Sequence, residues 1–383
     1  MKFVGVLICL LIVLMVSAPV DAQQYSCGNP FLNENVQFDT SYWELTDFCQ
    51  RSVPFGEILW GGVPPDGIPP IDEPQFESIA AAAEWLPPQS PVIKLEIDGD
   101  ARAYPLAILT WHEIVNDTVG GVPVVITFCP LCNSALVFER TVGDAELTFG
   151  VSGNLRNSDL IMWDRQTQSW WQQFTGEGIV GTYTGTQLTP VPSLVTGFGG
   201  FSEQFPEGQV LSRETGHSRR YGENPYVNYD QTESPFLFDD TVDTRLPATE
   251  HVLAGLVMGE AIAYPFPILQ REVVINDEVG GVPVVALWQA GSTSALGAQV
   301  IAEAEDIGWA ALYRREVDER VLTFRLDPDG SIRDEETNTR WNAFGEALEG
   351  TLTGAQLRLQ IAAPHFWFAW AAFQPETRVY GQE

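Results

Sequence analysis

The chain alternates between short β-type runs and clusters of turn-forming residues, with few stretches of helical period. Val92 to Ile97 is a strand-like run that turns at Asp98-Gly99-Asp100 into a second strand. Pro105 then opens a short helix predicted to reach about Ile114, because proline suits a first helical turn. Asn116-Asp117 and Gly120-Gly121 mark turns. Val124 to Phe128 and Ser134 to Phe138 read as two strands joined by the tight knuckle Cys129-Pro130-Leu131-Cys132-Asn133. More short strands are predicted over 146–151, 160–164, 169–174 and 178–183. Ahead of them, Cys27 to Leu86 is irregular, and Gly61 to Pro70 is too rich in Pro and Gly for helix or interior strand. Glu77 to Trp85 reads as one short helix. The expected fold is α+β and mostly β.

The same pattern occurs twice. Ala103-Tyr104-Pro105 returns as Ala263-Tyr264-Pro265, and Val119-Gly120-Gly121-Val122-Pro123 as Val279-Gly280-Gly281-Val282-Pro283, each 160 residues later. Asp164, Thr167, Trp171 and Phe174 match Asp334, Thr337, Trp341 and Phe344. These runs predict two tandem homologous units, 91–220 and 247–383. An N-terminal arm, 23–90, precedes them, and a linker rich in turn residues, 221–246, joins them.

Composition adds a compartment and removes several partners. Lys2, the apolar run Phe3–Val16 and Val20-Asp21-Ala22 predict a signal peptide over 1–22, cleaved after Ala22. The expected location is secreted or otherwise extracytoplasmic, and no later run is long and apolar enough to span a bilayer. The formal net charge of −31 argues against nucleic acid and anionic lipid as partners. No Gly-rich phosphate loop, nucleophile elbow or His-Glu-x-x-His is present, so no nucleotide cofactor is expected. Whether the partner is a small molecule or a protein is not indicated.

The chemistry concentrates at the knuckle. Of five cysteines, Cys9 leaves with the signal. Cys27 and Cys49 read as a structural disulfide in an oxidising compartment. Cys129 and Cys132 can share a metal ion or form a disulfide on one side of a hairpin tip. At the 160-residue offset they correspond to Gln289 and Ser292, and His112 to Glu272, with Ser134-Ala135-Leu136 aligned to Ser294-Ala295-Leu296. Only the first unit therefore carries soft ligands. His112, on the helix leading to the knuckle, and His217, after the strand-like Val210-Leu211-Ser212, complete a candidate Cys2His or Cys2His2 site for Zn, Cu or Fe. Glu113 is a candidate outer-shell carboxylate or general base, the alternative being a solvated helix-end charge. Arg156, Asp159, Asp164 and Arg165 read as salt-bridge residues, and Trp170-Trp171 as core. Three functions stay open: a metal-binding protein, a thiol–disulfide oxidoreductase, and a non-catalytic binding module with an inert disulfide.

Ala103-Tyr104-Pro105, Trp111 to Asp117 and Phe128 to Ser134, together with Phe149 to Gly153 and Asp164 to Thr167, resemble the family called domain of unknown function 3179. The resemblance extends to the Asp66-Gly67-Ile68-Pro69 arm and, in degenerate form, to the second unit. It implies an intact fold and a site at the knuckle, and no substrate.

Overall fold

The computed structural model describes residues 29–382. The expected signal peptide and Cys27, hence the expected Cys27–Cys49 bridge, lie outside them. As the sequence predicts, short strands dominate, and no helix among the described residues exceeds seven residues.

One five-stranded sheet in the first half runs in the order 194–197, 91–97, 100–105, 209–211, 76–78. Its 209–211 strand lies parallel to 100–105, and its other pairs are antiparallel. Helix Leu106–His112 follows directly, with Pro105 at its N-cap. The helix expected over 77–85 is confined to Ile79–Ala82, capped by the Ser78 hydroxyl, because Glu77 is drawn into strand Phe76–Ser78. Strands Ile114–Val119, Val122–Cys129 and Ser134–Glu139 form a second sheet. Strands 149–156 and 159–164 belong to a third, five-stranded sheet.

The pairings recur in the second half. Val92 faces Pro105, and Val252 faces Pro265; Asn116 faces Val125, and Asn276 faces Val285. Polar contacts recur as well. Tyr104 donates to Asp117 at 2.6 Å and Tyr264 to Asp277 at 2.9 Å, while the indoles of Trp171 and Trp341 donate to Asp164 and Asp334.

The correspondence breaks at the knuckle. Cys129 pairs with Ser134, but Gln289 pairs with Trp309. The second half thus inserts an excursion, 290–308, where the first has only the four residues 130–133. Ser294-Ala295-Leu296 is part of that excursion and is not the counterpart of Ser134-Ala135-Leu136, and Ser292 does not take the place of Cys132. A short match of small residues is satisfied by a loop as easily as by a strand, so the sequence alignment drifts there.

The excursion holds the linker. Asn228 N donates to Gly297 O at 2.7 Å, Asn224 N to Gln299 O at 2.8 Å, and Ser294 Oγ to Asp230 Oδ2 at 2.5 Å. The largest apolar core crosses both halves, joining Cys129, Cys132, Val125 and Phe149 to Phe366, Trp367 and Trp370.

Candidate metal centre

The knuckle is a short 3-10 turn, Pro130–Cys132, between two paired strands. Pro130 fixes φ at its first position, and Asn133 closes it in the left-handed conformation (φ 48°, ψ 37°) that asparagine tolerates. Both cysteines are buried and free. They are not the disulfide that an inert staple requires.

The third member is Asp159. Hairpin 149–164 turns on Asn157 and Ser158, both at positive φ as a type I′ turn requires, and Arg156 pairs with Asp159. Asp159 begins the returning strand fully buried. The two sulfurs and one of its carboxylate oxygens lie within 4.8 Å of one another. Asp159 Oδ2 accepts from Gln172 Nε2 at 2.7 Å and Phe174 N at 2.9 Å, whereas Oδ1 has no hydrogen-bond partner. From sequence, Asp159 reads as a salt-bridge residue. The neighbouring Arg156 instead pairs with Glu57, and Arg165 with Asp66 and Asp72.

Glu113 lies beside this group. It is buried, so it is not a solvated helix-end charge. Its backbone sits at φ 60°, ψ −32°, and Val273 in the second half sits at φ 62°, ψ −42°. A β-branched residue rarely adopts such a conformation. The strained joint therefore belongs to the architecture, and only its carboxyl is particular to the first half. Burial, with the Asp159 charge second, pushes Glu113 up to about 8. Burial likewise pushes Asp159 up to about 7 and raises both thiols, Cys132 the more strongly.

The histidines go elsewhere. His112 is buried, with Nδ1 2.7 Å from Pro69 O and Nε2 2.7 Å from the Tyr221 hydroxyl, so both ring nitrogens are engaged. Burial lowers its pKa to about 4. His217 is exposed and its ring centroid lies 5.4 Å from that of His112. The expected Cys2His or Cys2His2 set is thus replaced by Cys2Asp. His112 ties the arm to the linker, so His112→Ala should lower stability by ~2–4 kcal/mol through the lost packing and hydrogen bonds. Its metal content should not change, as denaturant melts and elemental analysis of the same sample will show.

Two thiolates and a carboxylate suit a tetrahedral zinc ion. With Zn–S near ~2.3 Å, sulfurs sharing the ion stand roughly 3.8 Å apart, which the observed spacing accommodates. Three protein ligands leave a fourth position, and the spare Asp159 oxygen is the orphaned buried atom that an ion would satisfy.

Fold and site together define a mostly-β protein with one buried Cys2Asp cluster among the described residues. The chain belongs to the family described as "Protein of unknown function (DUF3179)", which matches residues 65–377. No curated protein and no solved structure matches it.

Proposed function

We propose that this is an exported metalloprotein in which Cys129, Cys132 and Asp159 hold one zinc ion, with Glu113 as the neighbouring acid or base. The observation that carries this reading is a fully buried carboxylate, Asp159, grouped with two buried free thiols and keeping one oxygen without a nitrogen or oxygen donor. A borderline ion matches a donor set that mixes sulfur with carboxylate, whereas Cu(I) favours sulfur alone. A signal peptide over 1–22 would deliver the chain to an oxidising compartment, where a bound ion protects the thiol pair from oxidation. Among the described residues, no helix is long and apolar enough to cross a membrane.

When bound, zinc would supply Lewis acidity and a lowered pKa for an attached water. The chain's own part is to fix the ligands on two rigid hairpins, exclude bulk water, and offer the Glu113 carboxyl for proton exchange. An oxidoreductase is the weaker reading, because its attacking thiol needs a low pKa and access, and here burial raises both thiols.

Elemental analysis of untagged protein purified without added metal should find about one zinc per chain. Metal-free preparations that also take up no cobalt(II) would overturn the proposal. Native protein should react negligibly with a disulfide reagent, and two thiols, Cys129 and Cys132, should appear after unfolding with chelator. Fast native reaction would favour the redox reading.

A further inference from the structure

A cavity of ≈ 410 Å³ adjoins the cluster. Its wall includes Leu131, which lies between the two cysteines, Leu160, which follows Asp159, and Glu113. Val63 and Gly61 of the arm close one side. Gly153 (φ 80°) permits this, since a Cβ there would stand 2.0 Å from Val63 O. Tyr226, Tyr229 and Phe236 of the linker form the roof. Ser158 Oγ, one residue before Asp159, donates to Phe236 O at 2.5 Å, and the Phe236 amide donates to the Tyr229 hydroxyl at 3.1 Å. The lining is overwhelmingly apolar, and Glu113 is its one carboxyl.

We propose that this cavity binds a small, uncharged, largely apolar molecule whose single hydrogen-bonding group meets the Glu113 carboxyl. The proposal deepens the metalloprotein reading, since Leu131 and Leu160, chain neighbours of the candidate ligands, line the cavity with Glu113, and it rests on that reading for any reaction of the bound molecule. Volume and lining set the class. The space suits a molecule of drug-like size or smaller, and mostly apolar walls with a few polar groups, here Glu113, Asn154 and the two tyrosines, are what binding cavities for such molecules present. An anion is disfavoured by desolvation, with no cationic side chain in the lining to offset it. A cation would lose its hydration with one carboxyl to replace it.

The test uses the full chain and the neutral probe N-phenyl-1-naphthylamine. Saturable fluorescence enhancement at one probe per chain is expected. Octan-1-ol should displace the probe, and octanoate should do so at least about tenfold less well, octylamine likewise. Val63→Trp and Leu155→Trp, both at half-buried lining positions, should each abolish probe binding while leaving the metal content unchanged. Cys129→Ser with Cys132→Ser should abolish metal and leave probe binding within a few-fold. Metal-loaded protein that binds no probe, or binds it equally well in both tryptophan variants, overturns the cavity proposal and leaves the zinc reading standing. Saturable, octanol-sensitive binding to protein that takes up no metal does the reverse. Preferential displacement by octanoate or octylamine overturns the uncharged class.

Discussion

A Cys129→Ser/Cys132→Ser double variant is expected to lose zinc altogether, while keeping the circular dichroism of the native fold. Serine matches the size of cysteine but cannot ionise near neutral pH, so two of three protein ligands disappear. Changes to outer-shell partners alone cost about 10–100-fold in metal affinity, and loss of both thiolates should exceed that. The fold survives because strand pairing, not sulfur, sets the register of Val122–Cys129. The corresponding strands 282–289 and 309–314 pair in full without cysteine. Competition with a chromophoric chelator measures the affinity. Retained stoichiometric zinc in the double variant would sink the assignment. With metal present, the wild type should melt above the variant by the mass-action contribution of the ion, and this gap should close when chelator is added.

The second large effect concerns Glu113 in metal-free protein. Its carboxyl is raised from the ordinary 4.5 to about 8 by burial. Between those values the folded state keeps a proton that the unfolded chain has released, so stability falls as pH rises. At pH 7 the difference is on the order of 3 kcal/mol. Glu113→Gln keeps the shape and removes the titration. Relative to wild type, the metal-free variant should therefore gain stability steadily from about pH 4.5 towards pH 8. The buried histidines act in the opposite sense. His112, His251 and His365 are lowered to about 4, about 4 and about 3, so they cost stability as pH falls below about 6.5. They are common to both proteins and cancel in the comparison. A pH-independent difference in melting would show that Glu113 is ionised or solvated in the folded state. Metal binding must displace the protons of the cysteines and Asp159, so affinity should climb over this range.

Much of the architecture was legible because it is written in local chemistry. Pro105 ahead of a short apolar run, the Gly120-Gly121 turn and the αL-tolerant Asn133 each dictate backbone geometry from one or two residues. The knuckle was legible for the same reason. The third member of the cluster was not, because Asp159 reaches the cysteines only through the pairing of 149–156 with 159–164, and a carboxylate near arginines looks like a salt bridge until the strands are placed. His112 misled in the complementary way. Its nearness to the knuckle in sequence is real, but a buried imidazole needs two partners, and Pro69 and Tyr221 supply them from segments that no local pattern connects to it. The match of Ser294-Ala295-Leu296 to the strand after the knuckle failed because small residues carry almost no positional information.

The clasp of segment 224–230 by loop 290–308 means that the half of the molecule without sulfur holds down part of the cover over the half that has it. On the proposed reading, an ion or an apolar guest would enter and leave at the tempo with which those few hydrogen bonds loosen. Anything that grips loop 290–308 from outside would then slow that exchange without coming near the cysteines.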